Sequence, residues 1–222
     1  EESEETETSE NKWDLYKTAK KHLDSESEDY DPQKALQLLI KSAKLDCSVA
    51  KYQLGKLFLS DEYFAKDVGY AVRWLEEASD DGNQYAEYLL GKLHLNGDDI
   101  EQDIDEAERL LTRSADQGNK YAAYTLAKEY LSGENFEEDI PRALEYLKTS
   151  ADKGFSQAEY LYGKLLYQGE LTEKDAQKAL EYLERAASQG NHYAAYLAGK
   201  ILMCEESLKD VKRAVHFLEM AA

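Results

Sequence analysis

Residues 84–119 read QYAEYLLGKLHLNGDDIEQDIDEAERLLTRSADQGN and contain the elements of one helix–turn–helix unit. A first helix is marked by apolar residues at the i, i+4, i+7 spacing of one helix face, at Ala86, Leu90 and Leu93. Gly97 is the residue type that ends a helix in the left-handed conformation. Asp103 can then cap a second helix, because its side-chain oxygens accept backbone N–H groups. The stretch predicts two short helices joined by an acidic loop.

The same unit recurs every 36 residues along the chain. One glycine series closes the units, at Gly82, Gly118, Gly154 and Gly190. A second series of small residues, each followed by lysine, lies within the first helices, at Gly55, Gly91, Ala127, Gly163 and Gly199. The capping aspartate recurs as Asp31, Asp67, Asp103, Asp139, Asp175 and Asp210. A fixed period of 20–50 residues is typical of a solenoid, in which each unit buries its apolar face on its neighbours.

We therefore expect an all-α fold, a right-handed αα-superhelix (solenoid) of about six 36-residue repeats, with the first helices lining the concave side. The expected units are residues 12–47, 48–83, 84–119, 120–155, 156–191 and 192–222, which form a single domain. Residues 1–11 are expected to be a disordered acidic tail or linker. The chain resembles a piece of something longer, because its last helix should leave an apolar face without a neighbour, at Ala214, Phe217, Leu218 and Ala221. End-to-end self-association of this fragment is expected from that face.

Charge and composition exclude some classes of function. The formal net charge is −19, from 46 acidic and 27 basic residues, so we expect no nucleic acid on the repeat surface, because phosphate contacts need a basic footprint. No apolar run approaches the roughly 20 residues of a membrane span, and no membrane partner is expected.

The cellular compartment is only weakly indicated. Cys47 and Cys204 lie more than four repeats apart and are not expected to form a disulfide. The chain has no signal peptide and no N-x-[ST] glycosylation site. These features favour the cytoplasm, and no other feature of the sequence locates the protein.

A face of the first helices differs most between repeats, which indicates that packing does not dictate it, and we assign it to the concave surface. One line on this face, the lysine row, is unbroken: Lys20, Lys56, Lys92, Lys128, Lys164 and Lys200. Beside it we place an aromatic row of Trp13, Tyr85, Tyr121 and Tyr193, and a leucine row of Leu89, Leu161 and Leu197. These thirteen residues are the candidate partner-binding residues. A further line, the inner tyrosine row, is expected to pack between repeats: Tyr16, Tyr52, Tyr88, Tyr124, Tyr160 and Tyr196.

The lysine row has two interpretations. It can bind an acidic or extended peptide, with lysines pairing carboxylates and aromatic rings supplying rigid apolar contacts. Alternatively, each lysine pairs with an acidic side chain nearby and only solvates the face. The sequence does not decide between them.

Residues suited to catalysis or metal binding are few. None of the four histidines, His22, His94, His192 and His216, has a nucleophile or a second metal ligand at a recognisable spacing. The acidic loop that starts at Asp98 lacks the turn glycine and distal glutamate of an EF-hand. We expect no catalytic residue, no cofactor and no metal.

The repeat resembles the Sel1-like repeat family, which is related to the tetratricopeptide repeats. The family's unit is similar to A-x-x-x-L-G-x-x-Y, a glycine-containing loop, D-x-x-x-A and a final A-A-x-x-G. In residues 84–119 the matching positions are Ala86, Leu90, Gly91, Asp103, Ala107, Ala115 and Gly118. The resemblance covers nearly all of residues 12–222. The 36-residue period also favours this family over tetratricopeptide repeats, which have 34 residues.

The resemblance implies a non-catalytic scaffold or adaptor that binds a protein or peptide partner on its concave face. The Tyr-Ala-x-Tyr-x-Leu-Gly-Lys-Leu pattern is also similar to repeat segments attached to conjugative relaxases of Gram-positive bacteria. The alternative function is therefore an accessory segment of a larger bacterial enzyme such as a mobilisation relaxase. No nuclease motif is present in the chain to support that alternative.

Overall fold

The computed structural model of the protein describes residues 11–222, so the expected tail at residues 1–10 lies outside the described residues. This part of the chain contains twelve α-helices and one 3-10 turn, and no strand. None of these helices is long and apolar enough to cross a membrane. The chain divides after Asp103 into two compact units, which are described separately as unit 1 and unit 2.

Unit 1 contains five helices. They are α1 (Lys12–Leu23), α2 (Pro32–Lys44), α3 (Ser48–Leu59), α4 (Val68–Asp80) and α5 (Gln84–Asn96). The helices α1 and α2 pack as a hairpin, as do α3 and α4, and each hairpin packs on the next helix along the chain. A core of leucines and alanines runs through them, including Ala19, Leu39 and Leu54.

Unit 2 contains seven helices and the 3-10 turn. They are α6 (Ile104–Asp116), α7 (Lys120–Ser132), α8 (Ile140–Asp152), α9 (Ser156–Gln168), α10 (Ala176–Ser188), α11 (His192–Cys204), the turn at Glu206–Leu208, and α12 (Val211–Ala221). The hairpins are α7 with α8, α9 with α10, and α11 with α12. The fold is thus the expected all-α repeat of helix pairs.

Side-chain caps fix where the helices begin. Aspartate carboxylates accept the backbone N–H three residues on, at 2.9–3.0 Å, at Asp31, Asp67, Asp139, Asp175 and Asp210. Asparagine side chains cap first helices in the same way, at Asn11, Asn83, Asn119 and Asn191. The expected capping role of the repeated aspartate is confirmed at these five positions, and it explains why each second helix begins at a fixed register.

The turn that closes each repeat needs a left-handed residue. The four closing glycines have φ between 72° and 100°, which costs glycine little. Asp46 stands at the same position in the first repeat and is the one described non-glycine residue with positive φ, at 58°. Aspartate visits this region more readily than most residues. Its carbonyl accepts a 2.9 Å hydrogen bond from Lys12 Nζ, which holds the turn.

The second glycine series allows close helix approach. A Cβ on Gly55 would lie 2.5 Å from Leu75 Cγ, and one on Gly163 would lie 3.0 Å from the Ala179 carbonyl oxygen. Such distances are below van der Waals contact. The glycines therefore permit α3 to pack directly on α4, and α9 on α10.

The last helix differs from expectation. Ala214 is fully buried, Leu218 lies against Gly199 of α11, and Phe217 and Ala221 pack against the same core. The apolar face expected to lack a neighbour is therefore the face that α12 packs on α11, because a stripe at this spacing meets the partner helix of its own hairpin first. The exposed apolar residues of α12 are instead Val211 and Val215.

Candidate partner-binding face

The lysine row lies along the first helices of both units. In unit 1, Lys20 and Lys56 are exposed and Lys92 is half-buried. In unit 2, Lys128 and Lys200 are exposed and Lys164 is half-buried. Within residues 11–222, none of the six ammonium groups lies within ion-pair distance of a carboxylate. The interpretation that each lysine pairs with a nearby acid fails at all six positions.

Most basic side chains elsewhere behave differently. Ten of them form ion pairs with carboxylates: Lys51, Lys66, Arg109, Arg142, Lys148, Lys174, Lys178, Arg185, Lys209 and Arg213. The lysine row contacts aromatic faces instead, with Lys56 Nζ 5.8 Å from the ring centroid of Tyr52 and Lys92 Nζ 6.0 Å from that of Tyr88. A cation over a ring is weakly stabilised and keeps its charge open to a ligand.

The aromatic row is exposed, as expected for a contact surface. The exposed fractions are 46% for Trp13 and Tyr85, 40% for Tyr121 and 76% for Tyr193. The leucine row is half-buried at Leu89, Leu161 and Leu197. Each unit thus presents cations and large apolar side chains on the faces of its own first helices. Exposed aromatic side chains in such a setting are typical of interaction surfaces.

The inner tyrosine row packs between repeats. The ring of Tyr52 lies 6.0 Å from that of Tyr85 in the next repeat, and Tyr160 lies 6.2 Å from Tyr193. Burial raises the pKa of Tyr52. These contacts support the exposed rings from below, so the aromatic row is held in place by the repeat before it.

Histidines offer no assembled chemical site. The buried His22 donates from Nδ1 to the Asp29 carbonyl, and His192 donates to the Met220 carbonyl at 2.9 Å. His216 is exposed, as expected. Across residues 11–222, no group of three His, Cys, Asp or Glu side chains is placed to hold a metal ion. The thiols of Cys47 and Cys204 are both free.

A buried charged position inside the first helices was missed from the sequence. Lys51 is buried and pairs with Asp81 at 2.7 Å and Glu77 at 3.9 Å. The equivalent of Lys51 in the fifth repeat is Glu159, which is 1% exposed and pairs with Arg185 at 2.7 Å. The charges are exchanged between the two repeats while the geometry is kept.

Arg185 is the centre of this second network. Its guanidinium also donates to the Ala151 carbonyl at 2.7 Å and lies 5.1 Å from the ring centroid of Tyr182. Gln189 Nε2 donates to the second Glu159 oxygen at 2.7 Å. Burial raises the pKa of Glu159, and Arg185 offsets this only in part. The network therefore ties α8, α9 and α10 together through a desolvated carboxylate.

A cavity of about 650 Å³ beside this network was also missed. It lies between α8, α9 and α10, and Tyr162, Leu166, Thr172 and Tyr182 are among its lining residues. Tyr162 stands where three other repeats have buried leucines, Leu54, Leu90 and Leu126. That break in the repeat pattern was the available sequence signal.

Comparison with known families gives one extended match. The Sel1 repeat model matches six consecutive segments, at residues 17–47, 48–83, 84–119, 120–155, 156–191 and 192–222. The search among curated proteins found no match.

Several solved structures share the fold. A Sel1 repeat protein from Oxalobacter formigenes is 26% identical with a TM-score of 0.84, and the match covers 95% of this chain and 87% of that one. The protein c5321, a protective antigen of uropathogenic Escherichia coli strains with an SLR fold, is 20% identical with a TM-score of 0.85. That match covers 95% of this chain but only 45% of c5321, so this chain spans less than half of that protein. The immunity protein PA5088 from Pseudomonas aeruginosa is 18% identical with a TM-score of 0.60, covering 95% and 80% of the two chains. At these identities, the last two show the fold alone.

Proposed function

This chain belongs to the Sel1 repeat family, and we propose that it is a non-catalytic scaffold that binds an acidic protein segment on the faces of its first helices. Proteins of this family typically mediate protein–protein interactions, and their fold is generally a non-catalytic scaffold. The identity of the face and the acidic character of the partner are our proposal.

One observation carries the proposal. Acidic residues outnumber basic ones by 46 to 27, yet the six lysines of one row have no carboxylate partner in the described part of the chain. Each repeat keeps a lysine here without an internal partner that would explain it. An acidic segment of another protein would supply the missing carboxylates, and the neighbouring aromatic row would supply apolar contact area.

Charged contacts of this kind have a defined energetic role. Pairs at a solvent-exposed rim contribute roughly 0.2–1 kcal/mol each, so the lysine row alone gives orientation and a fast encounter rather than tight binding. The aromatic row supplies the larger share of affinity, because rigid rings lose little entropy on contact. The first helices therefore offer both terms on one face within each unit.

The proposal is tested by capturing partners from lysate of the source cell with two charge-reversed variants. The test variant carries Lys56→Glu, Lys92→Glu, Lys128→Glu and Lys164→Glu. The control carries Lys34→Glu, Lys44→Glu, Lys153→Glu and Lys212→Glu, which are also lysines without a carboxylate partner in the described chain, so the two variants have the same net charge. We expect a partner that the wild type and the control retain and the test variant loses. Equal retention by both variants would refute the lysine row as the binding face.

A further inference from the structure

The cavity of the fifth repeat lies away from the first-helix face and is large enough for a side chain from another molecule. Its volume of about 650 Å³ falls within the range of roughly 300–1,000 Å³ found for ligand pockets. The rings of Tyr162 and Tyr182 meet there edge to face, with centroids 5.0 Å apart and an interplanar angle of 80°. Leu166 and Thr172 complete the apolar part of the lining.

Other repeats fill the same position with their own aromatic residues. In the second repeat, Phe64 from the loop stacks on Phe58 of the first helix, with centroids 5.8 Å apart. In the fourth repeat, the loop residue Phe136 is 3% exposed and lies 5.4 Å from the ring of Tyr130. The equivalent pairs, 72 or 108 residues apart in sequence, show that a loop phenylalanine over a first-helix ring is the standard filling of this groove.

The fifth repeat has lost that filling. Thr172 stands in place of Phe64 and Phe136, and Leu166 stands in place of Phe58 and Tyr130. Both replacements remove ring volume, and the space is left between the two tyrosines. A void of this size next to apolar side chains forfeits contacts that the other repeats make.

The cavity also differs in charge from its equivalent one repeat earlier. The depression in the fourth repeat is about 420 Å³ and is lined by four acidic residues and Arg142. In the fifth repeat, basic side chains surround the opening: Lys148, Lys174, Lys178 and Arg185. Three of these lysines pair with partly exposed carboxylates, those of Asp152, Glu205 and Asp175. Exposed ion pairs are weak, so an incoming carboxylate can share these cations at little cost.

We propose that this cavity is a docking pocket for an aromatic side chain of a partner protein, presented in a segment with acidic residues beside the ring. The partner's ring takes the place that Phe64 and Phe136 occupy in their own repeats, and its flanking carboxylates meet the lysines around the opening. The site is separate from the first-helix face, so either can fail without the other.

The proposal is tested by NMR titration of the whole chain with three short peptides. Acetyl-Glu-Phe-Glu-amide should shift the resonances of Tyr162, Leu166 and Tyr182 and saturate below about 10 mM, as a small fragment would. Acetyl-Glu-Ala-Glu-amide should not saturate, and acetyl-Lys-Phe-Lys-amide should bind several-fold more weakly. Equal binding of the alanine peptide, or no saturable shift with the phenylalanine peptide, would overturn the pocket. Equal binding of the lysine peptide would overturn the acidic part.

Two variants separate the pocket from the general surface. Thr172→Phe should refill the groove as Phe136 does and lower the affinity for the phenylalanine peptide by about tenfold or more. Ser207→Phe, which adds the same ring to an exposed loop of the same unit, should leave the affinity unchanged. Should Thr172→Phe not fold, Leu166→Tyr fills the floor instead. Unchanged affinity in a folded filling variant means that the peptide binds elsewhere and the proposal is wrong.

Discussion

At the scale of single residues, the buried charges decide how tightly neighbouring helices are tied. Glu159 is almost fully desolvated, and its oxygens depend on Arg185 and Gln189. Removing the guanidinium leaves a buried carboxylate without its main counter-charge, which is far more costly than the net value of the pair. Arg185 is therefore a structural residue although its side chain is 45% exposed.

This predicts a pH-dependent cost for Arg185→Ala. At pH 7 we expect a loss of about 2–3 kcal/mol in the free energy of unfolding, below the roughly 3–5 kcal/mol of a fully buried pair, because Arg185 is partly exposed. Without Arg185 the folded-state pKa of Glu159 should rise further above its ordinary value than it does now. A raised folded pKa favours the protonated native state, so the loss should shrink as the pH falls from 7 towards 5. Urea unfolding at both pH values measures it.

The double variant Glu159→Gln with Arg185→Ala is the control for that prediction. Its neutral amide needs no counter-charge, so it should be more stable at pH 7 than Arg185→Ala alone and should lack the extra pH dependence. A cost for Arg185→Ala that is the same at both pH values would show that the carboxylate does not drive the effect.

At the scale of helices, glycine has two opposite roles within the second repeat. Gly55 lies where α3 meets α4, and a Cβ there would lie 3.2 Å from the Ala71 carbonyl oxygen and closer still to Leu75. Gly69 lies in the first turn of α4, and its nearest contact for a Cβ would be Asp67 Oδ1 at 3.7 Å. Ala127 occupies the position of Gly55 in the fourth repeat and is fully buried, so a methyl group can be accommodated there after repacking.

We therefore predict opposite signs for two alanine substitutions. Gly55→Ala should lower the free energy of unfolding by about 1–3 kcal/mol, because Leu75 must move. Gly69→Ala should raise it by about 0.5–1 kcal/mol, because alanine favours the helix and no atom obstructs it. Urea unfolding of the two variants tests this. The same sign for both would mean that helix propensity, and not close approach, governs the small-residue series.

Local sequence patterns predicted the helices, their caps and the left-handed turns, because each depends on residues within a few positions, such as Asp67 and Tyr70 or Gly97 and Leu93. The buried charges and the cavity depend on contacts between helices about 26–30 residues apart. Lys51 with Asp81, and Glu159 with Gln189, share one spacing with opposite charge. Comparing repeats for paired exchanges would have found them, whereas reading each helix alone could not.

At the scale of the whole molecule, the charge is divided between loops and helices. The six loops that join first to second helices contain 22 acidic residues and three lysines. All three loop lysines are ion-paired: Lys66 with Asp99, Lys174 with Glu205, and Lys209 with Glu206. This segregation allows a lysine row without carboxylate partners in a chain of net charge −19. It also means that binding on the first helices should weaken as salt is added.

The most direct measurement is site-specific photocrosslinking in the source cell from tyrosines of matched exposure. Tyr85 on the first-helix face and Tyr30 in an acidic loop are both 46% exposed, so a photoreactive phenylalanine at either position is equally accessible. The account predicts a crosslinked partner from position 85, and from position 193 on the same row, but none from position 30. Crosslinks from position 30 alone, or equal yields from all three, would contradict the first helices as the binding face.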